Sequence, residues 1–490
     1  MFARFTLSAA ALALSAGLAA AQTDKVTLGM VLEPPNLNPT EGAAAAVDEV
    51  VYDNIFEGLT KIGPDGSVLP SLATSWDVEE GGKVYVFHLA EGVKFHDGSD
   101  FDAADVIFSL DRARAADSTN AQKALFEDIE KVEAVDPHTV KVTLKQPDGG
   151  FPFNMGWGDA VMVDEANVKD IATKPVGTGP YKFGEWKQGD SVRLDAFDGY
   201  WGPKPPIKTG IFRFISDPTA AFASIMAGDV DAFPNYPAVE TLPQIEADPR
   251  YKVIVGTTEG ETILAMNNTQ AQLKDKRVRE AIAHAINRQE IIDGALFGTG
   301  TPIGTHFAPH NPDYVDLTAQ STYDPELSKK LLAEAGVSNL TLRLALPPPP
   351  YARRGGEIIA NELKAVGIDT KITNMEWAQW LESVFKGGDF DLTVISHVEP
   401  MDIGIYGRDD YYFHYKNPAF RDLMAKLKGT VDPAARSALL KEAQKMIADD
   451  YVNAFLFQLP KVGVANAKLD GLWANSPIPA NVLRDMVWKE

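Results

Sequence analysis

Short period-two runs alternate with amphipathic helical stretches along nearly all of this chain, and that alternation admits few architectures. Residues 83–89 (KVYVFHL) and 139–144 (TVKVTL) alternate apolar and polar positions, as do residues 191–195 (SVRLD) and 341–345 (TLRLA). Residues 25–32 (KVTLGMVL) read as a strand that Glu33-Pro34-Pro35-Asn36 breaks. Helices with readable ends lie between these runs. Asp324 is placed to cap a helix with Pro325 at its first position; Leu327, Leu331 and Ala335 share one face, and Gly336 stops it. Asn287-Arg288-Gln289-Glu290 has the spacing of a capping box and opens a helix after Val278, Ile282 and Ile286. No internal repeat, low-complexity tract or long linker separates the segments. The pattern predicts mixed α/β lobes that share chain crossings.

Residues 1–21 (MFARFTLSAAALALSAGLAAA) are expected to be a cleaved export leader: Arg4, an Ala/Leu-rich stretch, then Ala19-Ala20-Ala21 before Gln22. That apolar stretch, about 15 residues, falls short of the ~20 needed to span a bilayer. The chain has no cysteine, so disulfides, thiol chemistry, cysteine-held metals and a lipid-modified N-terminal cysteine are all excluded. An exported protein without such staples is held by its core, and about 470 residues suffice for a large one. The expected compartment is the periplasm. The net charge of −22 has no basic cluster to offset it, which excludes a nucleic-acid or anionic-membrane surface.

Five motifs in collinear order carry a family resemblance. Residues 91–99 (EGVKFHDGS), continuing through Asp102-Ala103-Ala104-Asp105-Val106 to Phe108-Ser109-Leu110-Asp111-Arg112, resemble the signature of the peptide/nickel/opine-type extracellular solute-binding proteins of ABC importers. Glu33-Pro34 with residues 36–39 (NLNP) and 54–59 (NIFEGL) are similar to that family's N-terminal pattern, and residues 176–181 (VGTGPY) to its mid-chain turn. Residues 277–281 (RVREA) with 285–288 (AINR), and 323–325 (YDP) with 330–336 (KLLAEAG), complete the set. His96-Asp97-Gly98 reads as a turn rather than a catalytic group. Gly177-Thr178-Gly179 is no phosphate loop, because Pro180 removes a donor and no Gly-Lys-Ser/Thr follows. The resemblance implies a two-lobe α/β binding protein with a hinge and a subdomain inserted in the first lobe. The boundaries expected are residues 22–50 and 175–258 for the first lobe, 51–174 for the insertion, 259–464 for the second lobe, and 465–490 for the return to the first. It further implies a ligand held between the lobes, permease subunits as partners, and no cofactor; a monomer is expected.

No catalytic constellation is present: Gly-x-Ser-x-Gly and His-Glu-x-x-His are absent, and the eight histidines are scattered. His306 and His310 are four apart, but Pro309 and Pro312 argue against a helical metal pair. His397, Glu399 and Asp402 carry atoms suited to a transition metal, and the resemblance includes nickel binders; one histidine and two interleaved carboxylates are too thin a set to assign a metal site. In dipeptide binders of this kind a basic residue early in a second-lobe helix holds the ligand carboxylate, and an acid after a later strand holds the amine. Arg353 and Arg354 match the first element, and an arginine fork suits a carboxylate. The second element departs from the pattern: Ser396-His397 stands in place of Gly-Trp, and a shorter loop leaves Glu399 and Asp402 as the candidate acids. Tyr406 and Trp377, with Trp157 from the first lobe, are candidate aromatic walls for a cation or ring. Asn267, beside Asn268, and Glu33 at the first strand's end complete the expected ligand contacts. A short peptide leads the ligand classes; an opine, amino-acid derivative, small cationic solute or oligosaccharide follows, with nickel or a metal chelate as a further alternative.

Overall fold

A computed structural model describes residues 24–41 and 44–489; the expected leader lies outside the described residues. Apolar alternation produces the strands where it is cleanest. Lys25–Met30, Val84–Leu89, Thr139–Leu144, Ser191–Ala196 and Leu340–Leu346 are all strands. An eleven-stranded mixed sheet runs through the molecule. Lys25–Met30, Thr209–Phe214, Ser191–Ala196 and Tyr181–Lys187 form one half, and Leu392–His397, Leu340–Leu346 and Ile368–Asn374 the other.

Two long antiparallel strands, Tyr251–Met266 and Asn453–Asn466, join the halves. Tyr251 to Thr257 pairs with Pro460 to Asn466, whereas Glu261 to Met266 lies between the returning strand and Leu392–His397. The ladder slips between Thr257 and Glu261 and again between Thr262 and Ile263. A slip of this kind bends and twists the strand. It falls where the chain passes from one core to the other.

Each half has its own core. Val26, Leu28, Tyr181, Leu194 and Phe212 pack in the first, joined by Leu469, Leu483 and Met486 from the C-terminal segment. Leu264, Ile282, Leu344, Ile359, Leu392 and Leu456 pack in the second. A separate four-stranded antiparallel sheet contains Val84–Leu89 and Thr139–Leu144, and the helix Ala103–Arg114 covers it around Phe87, Phe95, Leu110 and Phe151. Asp102 opens that helix with a full capping box.

The recognisable motifs meet one another in space. Gly177 and Gly179 lie against the 54–55 backbone so closely that a Cβ would stand 2.1 Å from the Ile55 carbonyl oxygen and 2.4 Å from that of Asn54. Gly179 N donates to Ile55 O, and Tyr181 N to Asn54 O, both at 2.9 Å. Glu57 accepts there from Thr178 Oγ1, Tyr200 OH and Trp201 Nε1 at 2.9–3.0 Å, and Arg484 pairs with Asp53. His96-Asp97-Gly98 is a turn: Gly98 has φ +95°, and Asp97 Oδ1 accepts from Ser99 N.

Helix ends follow the sequence in one case and differ in another. Asp324 caps Pro325–Glu334 by accepting from Leu327 N at 2.9 Å. Asn287 caps Arg288–Leu296, but the reciprocal half of the expected box is taken over from a distance: Asn287 N donates to Glu362 Oε1 at 3.1 Å, not to Glu290.

Candidate functional site: an acidic cavity between the lobes

A cavity of about 950 Å³ opens between the two halves. Its first-lobe and subdomain wall includes Asp48, Trp76, Asp148, Phe153, Trp157 and Asp159, and its second-lobe wall includes Asn311, Asp313, Glu399, Met401 and Arg436. The loop after the strand Leu392–His397 delivers Val398 to Met401 to it. Met401 ends that loop with φ +60°, a left-handed conformation uncommon for a side chain of its size. Its sulfur accepts from Asn311 Nδ2 at 3.3 Å, which ties the loop to the opposite side of the second-lobe wall.

Among the residues expected from the sequence, Trp157 and Glu399 line the cavity. The others do not line it, and each has local work. Glu33 is exposed and accepts from Trp186 Nε1 and Gly189 N at 2.9–3.1 Å, on the far edge of the first-lobe sheet. Asn267 is buried and donates its amide to the carbonyls of Gly388 and Phe390. Arg353 bonds Glu376 Oε1 at 3.1 Å and the Met375 carbonyl, and Arg354 lies 5.9 Å from the centre of the Phe297 ring. Trp377 is exposed and meets Trp380 edge-on. Tyr406, with Tyr411, Tyr412 and Tyr415, belongs to a buried aromatic cluster of the second lobe. The arginine that lines the cavity is Arg436, whose Nη1 donates to the Leu427 carbonyl at 3.0 Å.

His397 and Asp402 come together beneath the loop, with His306 rather than Glu399 as the third member. Their ligand-type atoms lie within 4.8 Å of one another. Asp402 Oδ1 accepts from His306 Nε2 at 2.7 Å, and its Oδ2 is 3.7 Å from His397 Nδ1. The Tyr412 hydroxyl is 3.1 Å from His397 Nε2, and the Tyr406 hydroxyl 3.2 Å from His306 Nδ1. Burial, reinforced by His306 and opposed by Asp402, lowers His397 to about 4, so it is neutral at neutral pH. Burial would raise Asp402, but the charge and hydrogen bond of His306, with His397, outweigh it and hold the acid below its usual range. The five groups form one hydrogen-bonded unit. His310 turns elsewhere, to Glu259 Oε1 at 2.8 Å and Thr257 Oγ1 at 2.7 Å, so the two histidines four apart serve different partners.

Sequence reasoning missed Asp48, Asp159 and Arg436. Asp48 sits in the short helix Ala45–Val51, and Asp159 follows Trp157-Gly158. Asp159 is only 7% exposed, and burial raises it to about 7 against the hydrogen bond from Trp157. Asp48 keeps part of its surface toward the cavity, yet its Oδ1 is sealed and has no hydrogen-bond partner among the described residues. Burial, then the charges of Asp159 and Glu49, push it well above the usual carboxylate range. A lone acid on a short helix reads as a solvated position; the one local signal was the Gly-Trp-Gly-Asp run of residues 156–159.

Residues 67–418 match the profile of the bacterial extracellular solute-binding proteins, family 5 middle region. The chain is 29% identical over 469 residues to the dipeptide-binding protein of Escherichia coli (strain K12), which covers 85% of this chain and 86% of that protein. It is 30% identical over 463 residues to the glutathione-binding protein GsiB of Pectobacterium atrosepticum, covering 89% of each. Its fold is similar to that of HbpA2 from Haemophilus parasuis, with a TM-score of 0.87 at 22% identity over 95% of this chain and all of the other. No helix among the described residues is long and apolar enough to cross a membrane. These likenesses place the chain among the bacterial extracellular solute-binding proteins of family 5, substrate-binding components of ABC transporters and not enzymes.

Proposed function

We propose that this chain captures a short peptide in the interlobe cavity, in the periplasm and as a monomer, and delivers it to the permease subunits of an ABC importer, residues 1–21 being removed on export. The cavity carries the reading. At about 950 Å³ it is at the upper end of the ~300–1,000 Å³ typical of sites that enclose a small organic ligand, with walls from both lobes. Gln122, Asn154 and Asn311 line it with side-chain amides, which offer both donors and acceptors to a peptide backbone. Trp76, Phe153 and Trp157 supply flat apolar faces. The relatives named for dipeptide and glutathione binding support the same ligand class. Closure occurs about the two crossing strands, at the ladder slip between Thr257 and Glu261, and removes the ligand from water.

Mass spectrometry of the ligand that co-purifies with the native protein, followed by calorimetric titration with di- and tripeptides, tests this. A bound peptide and dissociation constants of about 1 μM or tighter are expected. A co-purified sugar or opine, with no heat from any peptide, overturns it.

A further inference from the structure

We propose that the first-lobe wall formed by Asp48, Asp159, Phe153 and Trp157 is a subsite for a cationic side chain, so that the preferred peptides carry lysine or arginine. The proposal rests on the peptide reading and specifies which peptides.

Charge balance is the first observation. Glu41, Asp48, Asp148, Asp159, Asp313 and Glu399 line the cavity, and Arg436 is the one basic side chain among its described lining residues. That guanidinium belongs to the second-lobe wall and already donates to the Leu427 carbonyl. A zwitterionic peptide of neutral side chains brings one ammonium and one carboxylate, which leaves this excess of acid unchanged. A peptide with a lysine or arginine side chain offsets part of it.

Local geometry is the second, independent observation. Asp48 Oδ1 is sealed from solvent without a partner among the described residues, although the residue borders the cavity. The backbone at Gly158 approaches so closely that a Cβ would stand 2.7–2.8 Å from the Asp48 carboxylate atoms. Only glycine at this position leaves the carboxylate its place. Asp159, one residue on, brings the second acid to the same wall, steadied by the Trp157 hydrogen bond. The Phe153 and Trp157 rings, with centroids 6.1 Å apart at 39°, line that wall beside the acids. Paired carboxylates with aromatic faces attract a cation by ion pairing and by the ring quadrupole together. They repel a second carboxylate. Burial raises the proton affinities of both Asp48 and Asp159, and for Asp48 the charges of Asp159 and Glu49 add to it.

Calorimetric titration of the full chain with Ala-Lys-Ala and Ala-norleucine-Ala tests the proposal, because the two peptides share shape and differ in one charge. The wild-type protein is expected to bind the lysine peptide about tenfold tighter or more, at the strength of one charge-assisted hydrogen bond. In the Asp48→Asn/Asp159→Asn double variant that preference is expected to fall to about twofold. Equal binding of both peptides by the wild type overturns the cation subsite and leaves the peptide reading standing. Binding of neither overturns the peptide reading, and the subsite with it. The wild-type comparison needs no variant, so a misfolded double variant does not rescue the idea.

Discussion

Glu57 and Asp48 are close together in the chain, both in the first lobe, and both carboxylates are wrapped in protein; their surroundings are opposite. Glu57 accepts from Thr178, Tyr200 and Trp201 and has the Arg484 guanidinium 3.8 Å away. Burial and the neighbouring Asp53 still raise its proton affinity, against Arg484 and those donors. Asp48 is less enclosed, bordering the cavity, and has two acidic neighbours, with an oxygen that finds no described partner. A fully bonded buried acid is a strut: Glu57 ties together segments that are far apart in sequence. An acid left short of partners beside a cavity keeps its capacity for something that enters it.

The largest test of this contrast is Arg484→Met. It removes the cation that compensates Asp53 and Glu57 and is expected to cost about 3–5 kcal/mol in a urea titration, as for one partner lost from a buried ion pair. A loss under about 1 kcal/mol contradicts the strut reading.

Smaller effects of opposite sign follow for the two acids. Glu57→Gln is expected to cost about 1.5–3 kcal/mol, because it weakens charge-assisted bonds. Asp48→Asn is expected to raise the stability of the ligand-free protein near neutral pH by about 1 kcal/mol, because it removes a carboxyl whose ionisation is opposed by burial and by the charges of Asp159 and Glu49. Destabilisation in both alike dissolves the comparison. The pH dependence has a definite sign as well. Asp159 is raised from 3.8 to about 7, so the folded protein binds more protons than the unfolded chain in that window. Its contribution is fully present below about pH 4 and is lost as pH rises through about 7. Asp159→Asn is therefore expected to flatten the fall in melting temperature across that range; an unchanged slope contradicts the assignment.

The smallest expected effect concerns the arginines that the sequence put forward. Arg353→Ala with Arg354→Ala is expected to change peptide affinity by less than about twofold, since neither lines the cavity. A loss of tenfold or more in calorimetry returns the carboxylate site to that helix.

Much of the fold was legible because its signals are local. Asp324 and Pro325 mark their helix by residue type alone, and period-two alternation marks Val84–Leu89 and Thr139–Leu144 because one face of each strand is buried. Asn287 was legible only in part, since a carboxylate 75 positions away, Glu362, took the role assigned to Glu290. The site was less legible for the same reason. Glu399 and Trp157 line the cavity; the resemblance put an acid in the loop after a second-lobe strand, and Trp157 was an aromatic wall expected from the first lobe. His306 joined His397 and Asp402 only through a fold contact that no spacing encodes. Asp48 reads as one more acid on a short helix; Gly158 packs against its carboxylate and Asp159 raises its proton affinity, both far along the chain. The recognisable motifs, in turn, marked scaffold: Gly177-Thr178-Gly179 and Glu57 meet at a packed junction.

A crystal structure of the protein with Ala-Lys-Ala bound tests the central claim most directly. The account predicts peptide density between Trp157 and Glu399, with the lysine ammonium within hydrogen-bond distance of Asp48 or Asp159. Peptide density outside this cavity, or the lysine directed to the second-lobe wall away from both aspartates, would contradict it.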